Sequence, residues 1–204
     1  AAWRERLFLT AGVRVERNSG EVPADLRAAL ALLGSTAPIG DVGFGVQANP
    51  KIAASFLARR HQEGVAVGAT RLKASFGTGI KEPSLTEAFS PSLFFLGNPS
   101  LNPERVKSFE VGLSQEFANR RASLDVTYFD NRFRDHEKRA GVQYQMIAAL
   151  GRANILTGGI DYEHESAEFD DGFSRVSPAR NNFGVYVQDQ AAWRERLFLT
   201  AGVR

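Results

Sequence analysis

From Leu7 the chain alternates in hydropathy. Leu7, Leu9, Ala11, Val13 and Val15 fall on one face, and Phe8, Thr10, Gly12, Arg14 and Glu16 on the other. A period of two over this length predicts a strand with one apolar face. The signature returns along the chain. Ile52, Ala54, Phe56 and Ala58 oppose Lys51, Ala53, Ser55 and Arg59, and Leu72, Ala74 and Phe76 oppose Arg71, Lys73 and Ser75. Phe109, Val111, Leu113 and Phe117 oppose Ser108, Glu110, Gly112, Ser114 and Glu116, and Leu124, Val126 and Tyr128 oppose Ser123, Asp125, Thr127 and Phe129. Three more follow: Val142–Ala148, Leu156–Glu163 and Phe183–Gln188. The spacing predicts about eight antiparallel strands.

The expected connections alternate in length. Short ones fall at 61–64, 118–121, 151–154 and 191–195, and long ones at 18–45, 78–104 and 165–180; the one at 134–139 is shorter than its place in the series predicts. Within the first long connection, Pro23–Leu33 carries strong helix formers, with Pro near its start and Gly34 just beyond. That pattern predicts a short helix set in a loop.

Alternation fits a soluble barrel as well as a membrane barrel, so the chemistry of the two faces must discriminate. A membrane barrel turns its apolar face to lipid and keeps its polar side chains inside. Here the apolar faces carry almost no charge, aromatics gather towards strand ends (Trp3, Phe117, Tyr128, Tyr162, Trp193), and the opposite faces mix Ser, Thr, Gly, Gln and both signs of charge. The expected fold is therefore all-β, an antiparallel up-and-down transmembrane β-barrel, and the expected partner is outer-membrane lipid.

Composition narrows the chemistry. The 204 residues hold 25 basic and 23 acidic side chains, a formal net charge of +2, and the two signs are interleaved. No basic stripe suits nucleic acid. The absence of cysteine removes disulfides, thiolate metal sites and cysteine nucleophiles. No apolar run reaches the eighteen or so residues of a membrane helix. The three histidines, His61, His136 and His164, show no ligand spacing. The acidic run Glu163–Asp171 reads as a solvated loop. No nucleophile elbow, P-loop or dinucleotide fingerprint is present. Neither a cofactor nor enzymatic activity is expected.

The stretch SFGTGIKEPSLTEAF, followed by GNPSLNPERVKSFEVGL and RASLDVTYFDNRF, resembles the barrel of TonB-dependent outer-membrane receptors. The resemblance rests on Gly77, Gly79, Pro83, Ser84, Leu85, Glu87, Phe89, Gly97, Asn98, Pro99, Leu101, Pro103, Glu104, Glu110 and Gly112, with Glu82 standing where many members have a small residue. It is specific over 70–133, good over 1–17 and 181–204, and indistinct over 18–45 and 134–180. It implies a Gram-negative outer-membrane location and uptake of a small chelated ligand, siderophore-iron or cobalamin-like. Coupling to TonB would run through a plug domain, and residues 1–204 are expected to be a barrel fragment without one. Loop residues Phe89, Phe94, Phe95 and Asn98 are candidates to meet ligand. The motif itself reads as structural: Pro83, Pro99 and Pro103 fix φ and remove donors, Gly97-Asn98 permits a tight turn, and Glu104 is placed to pair with Arg105 or Lys107.

AAWRERLFLTAGVR occurs at 1–14 and again, unchanged, at 191–204. Identity confined to the two ends suggests a unit that closes on itself, as in a circular permutation, with its second junction expected near 134–140. Two rivals to a receptor stay open: a small structural membrane barrel without cargo, and a soluble lipocalin-like binder.

Overall fold

The computed structural model describes residues 2–3, 5–32, 41–92, 95–134, 137–151, 153–170, 174–193 and 197–203. In chain order the elements are β1 (Ala2–Trp3), β2 (Leu7–Glu21), α1 (Ala24–Leu32), β3 (Asp41–Arg59), β4 (Val67–Lys81), α2 (Leu85–Phe89), β5 (Pro91–Ser92) and β6 (Phe95–Leu96). They continue with β7 (Glu104–Phe117), β8 (Ala122–Phe133), β9 (Lys138–Leu150), β10 (Asn154–Ser166), β11 (Phe169–Asp170), β12 (Arg175–Val176), β13 (Ala179–Trp193) and β14 (Leu197–Val203). The main sheet has ten strands in the order β1-β2-β3-β4-β7-β8-β9-β10-β13-β14. Once the two-residue hairpins β5–β6 and β11–β12 are set aside, neighbours in the sheet are neighbours in sequence, which is the up-and-down topology. The sheet is open: its edge strands β1 and β14 are not joined among the described residues.

Register keeps the two faces apart. Between β3 and β4, Ile52 lies opposite Phe76, Ala54 opposite Ala74 and Phe56 opposite Leu72. Across four strands Leu124, Met146 and Gly158 fall in line with Val187, as Tyr128, Val142 and Tyr162 do with Phe183. A slip of one residue anywhere would send these side chains to the polar face.

All eight expected strands form, and most are longer than alternation alone indicated. β2 runs on through Asn18–Glu21, β3 begins at Asp41 rather than Lys51, β4 reaches Lys81, and β13 begins at Ala179. The extensions of β2 and β13, Asn18–Glu21 and Ala179–Asn182, are polar on both faces, so hydropathy alone reads them as loop, whereas that of β3 alternates Val42, Phe44, Val46 and Ala48 with Asp41, Gly43, Gly45 and Gln47. Hydrogen bonds across the extensions hold them: Asn18 Nδ2 donates to Glu82 Oε2 (2.7 Å) and Asn49 Nδ2 to Glu16 Oε2 (3.0 Å). The predicted helix appears as Ala24–Leu32; Leu33 and Gly34 lie outside the described residues.

The chain divides into two compact units. One comprises Ala1–Ala11, Lys51–Gly77 and Lys107–Arg204, and the other Gly12–Pro50 and Thr78–Val106. The second contains α1, whose Leu26 and Leu30 pack with Val22 and, from the loop, Phe89. Val22, Leu26 and Leu30 are the buried large apolar side chains among the described residues, whereas thirty large hydrophobics are exposed, among them Ile52, Leu72, Phe109, Met146 and Val185. Burial is worth about 25 cal/mol per Å², so in water this surface forfeits the main driving force of folding. Facing hydrocarbon, it does not.

Two outcomes follow from these faces. Met146→Arg, on the apolar face of β9, is expected to cost about 2–4 kcal/mol in a bilayer, and Gln145→Arg, its neighbour on the polar face, only a small fraction of that. Reversible urea unfolding in lipid vesicles measures both, and equal costs would refute the assignment of faces. Leu26→Ala is expected to lose about 2–3 kcal/mol of local stability, read as faster proteolysis confined to residues 22–32.

Candidate functional site

Two regions carry the candidate chemistry. The first is the connection from β4 to β7. It opens at Pro83, which cannot extend the ladder, and turns at Ser84, the N-cap of α2. Ser84 Oγ accepts from the Glu87 N–H (3.2 Å), while Glu87 Oε2 accepts from the Ser84 N–H (2.7 Å). This reciprocal capping box satisfies two donors that a helix start otherwise leaves open. It was legible in the sequence as Ser-x-x-Glu, yet no helix was expected there.

The chain then returns over α2. The Gly97 N–H donates to the Ser90 carbonyl (2.8 Å) and the Asn98 N–H to the Glu87 carbonyl (2.8 Å). A Cβ on Gly97 would fall 2.5 Å from the Ser90 nitrogen, so only glycine allows this approach. Asn98 Oδ1 accepts from the Ser100 N–H (2.9 Å), and the Asn98 carbonyl accepts from the Leu101 N–H (3.2 Å).

These contacts account for most of the family-like positions. Pro103 is buried, Gly79 approaches the Val106 side chain, and Leu85 and Leu101 are exposed. Glu104 pairs across the strands with Lys81 at 3.7 Å rather than with Arg105 or Lys107; an antiparallel neighbour reaches it more directly than a residue one or three positions along its own strand. Arg105 instead donates to Gln47. Among the four ligand candidates, Phe89 is half-buried against the α1 cluster and Asn98 builds a turn. Phe94 lies outside the described residues. Phe95 forms the β5–β6 pair through its backbone.

The second region is the polar face of the sheet. Lys73 Nζ donates to Asp125 Oδ1 at 3.1 Å, and Ser114 Oγ donates to the same oxygen. Ser75 Oγ donates to Glu110 Oε2 (3.1 Å), and Arg71 donates to Ser55 Oγ (3.0 Å) while lying 5.9 Å from the Phe8 ring centroid. Two aromatic rings lie over glycines on the facing strand. Phe129 is opposite Gly141 and Tyr186 opposite Gly159, and a Cβ on those glycines would fall 2.7 and 2.4 Å from the rings. Sequence reading placed Phe129 on the polar face without its partner glycine.

Beside Tyr186 the face forms an open concavity of about 670 Å³, lined by Asp125, Thr127, Gln143, Gln145, Asp161 and Gln188 among others. Carboxamides, a hydroxyl and two carboxylates make a wet, hydrogen-bonding surface suited to water and polar solutes. Among the described residues no group of three or more His, Asp or Glu is placed to hold a metal ion.

This combination of an up-and-down sheet, an exposed apolar face, a wet polar face and a capped proline-rich loop agrees with a known family. The family model for TonB-dependent-receptor-like β-barrels matches residues 2–153. The chain belongs to that family. No curated protein and no solved structure matches it. The TonB-dependent match takes in 18–45 and 134–153, where the sequence resemblance is indistinct, and stops short of 181–204. Proteins of this family are outer-membrane receptors of Gram-negative bacteria.

The capping box generates a pH prediction. The Ser84 backbone N–H, then its hydroxyl, hold the Glu87 carboxyl below its ordinary value of 4.5. A lowered folded pKa stabilises α2 fully above that ordinary value, and the contribution is lost as pH falls through the lowered one. Carboxyl NMR titration is expected to show Glu87 titrating lower in the native protein than in Ser84→Ala, which keeps the backbone N–H and with it part of the lowering; identical curves would show that the hydroxyl takes no part in the box.

Proposed function

We propose that the chain is a wall segment of an outer-membrane receptor that takes up a chelated nutrient, either siderophore-bound iron or a cobalamin-like ligand. TonB acts on it through a plug domain. The observation that carries this reading is the inside-out distribution of side chains, with exposed apolar residues on one face of the sheet and a hydrogen-bonding concavity on the other. Phe89 and Asn98 have structural partners, so Phe94 and Phe95 are the loop residues proposed to contact ligand.

A structural barrel without cargo is favoured by one feature: the ion pair Lys73–Asp125 and the bond Ser75–Glu110 fill part of the polar face from within. A lipocalin-like binder is disfavoured, because a soluble barrel buries its apolar face and this one exposes it.

The test is made in detergent and then in vesicles. Heat-modifiable migration with β-rich circular dichroism is expected in either membrane reading; its absence would overturn both. Titration with a ferric catecholate, a ferric hydroxamate and cyanocobalamin follows, monitored by tryptophan fluorescence. Saturable quenching by one class, weakened about tenfold in the double variant Phe94→Ala/Phe95→Ala (~1.4 kcal/mol), supports the receptor. A heat-modifiable protein that none of the three quenches supports the cargo-free barrel instead.

A further inference from the structure

At the long-loop ends of β7, β8 and β9, three cations share one row of the apolar face. Arg132 on β8 lies directly opposite Lys138 on β9. Ser114 reaches Asp125, and Gly112 packs on Thr127, which sets the offset between β7 and β8. The same offset brings Lys107 level with Arg132. By alternation the three belong with Phe109, Tyr128 and Val142 rather than with the polar residues behind them. All three are exposed.

Like charges set directly opposite one another destabilise a sheet, so the row calls for an anion. The chain supplies one: Asp130 Oδ1 accepts from Arg132 Nε at 2.8 Å. Lys107 and Lys138 have no ion-pair partner among the described residues. The nearby acids Glu137 and Glu165 stand on the other face, held by Arg139 and Arg180. Arg134, in the turn above, adds a fourth exposed cation.

Position along the strands indicates what the anion is. Four residues below Arg132, Tyr128 is in line with Val142, Tyr162 and Phe183, and both tyrosines are exposed. Tyrosines on a lipid-facing surface gather where hydrocarbon meets headgroups. The cations stand about 13 Å farther along the strand, where long Lys and Arg stems reach the headgroup layer. No long loop covers them, because β8 and β9 are joined by residues 134–137 alone. The Phe133 N–H closes that turn on the Glu137 carbonyl (2.8 Å). At the short-turn ends of the same strands this face carries Phe117, Ala122, Ala148 and Leu150 instead. The charge is therefore confined to one leaflet.

We propose that Lys107, Arg132 and Lys138 dock the phosphate of an anionic membrane lipid in the leaflet on the long-loop side, with its acyl chains along Phe109, Tyr128 and Val142. The phosphate supplies the negative charge that Asp130 supplies only to Arg132, through charge-assisted hydrogen bonds. The apolar rows below hold the chains, which a free anion lacks. The site goes beyond the cargo reading and rests only on the apolar face meeting lipid.

The folded full chain in detergent is titrated with dioleoyl phosphatidate or with dioleoyl phosphatidylcholine, whose phosphate is neutralised by choline. Lipid retained on the protein is counted by native mass spectrometry. Phosphatidate is expected to be retained at the lower concentration. Lys107→Gln/Lys138→Gln, which leaves the Arg132–Asp130 pair intact, is expected to weaken its retention about thirtyfold. Should that variant lose heat-modifiable migration, Asp130→Asn is read in its place. It frees the third cation and is expected to tighten retention about fivefold; no tightening overturns the proposal. Equal retention of the two lipids overturns it too. So does an equal loss in Lys51→Gln on the polar face, which would make the attraction a matter of net charge. Release of phosphatidate by inorganic phosphate as readily as by a second phosphatidate overturns the assignment to lipid.

Discussion

Within hydrocarbon no water is available to bond an exposed N–H or C=O, so every spanning strand must be satisfied by its neighbours. The rest of this molecule is arranged around that requirement. It forces adjacent strands into long, unslipped antiparallel ladders, such as the thirteen residues of β10 paired on one side with β9 and on the other with β13. Once the ladders are fixed, the period of two sorts side chains without further instruction, sending Met146 and Ile160 to one face and Gln145 and Asp161 to the other.

The polar face then has a problem of its own, since charged and aromatic groups must share one surface. It is managed by pairing and by size. Asp125 takes both Lys73 and Ser114, which leaves neither charge without a partner. Phe129 and Tyr186 lie over Gly141 and Gly159, so the rings cover backbone that would otherwise be bare. What remains beside them is hydrophilic and open, the right character for the wall of a solute path.

The loops follow different rules. With no ladder to continue, the connection between β4 and β7 is held by caps, turns and a close glycine approach. Ser84 and Glu87 secure α2, Gly97 and Asn98 fold the return over it, and Phe89 ties it to the cluster around α1. Most of the family-like positions in this stretch serve that local architecture.

Alternation in the sequence determined that the protein is built of antiparallel strands, which residues face together, and that one face is apolar enough for lipid. Local signals were strong there because a strand's side-chain period is a property of its own backbone. They weakened where both faces are wet: Asn18–Glu21 is strand without a hydropathic signature, and the helix at Leu85–Phe89 was announced only by its capping box. Only the tertiary structure decided the pairs between distant residues, Glu104 with Lys81 and Tyr186 over Gly159. Such pairs depend on strand order and offset, which are set by the whole ladder and by no single segment of it.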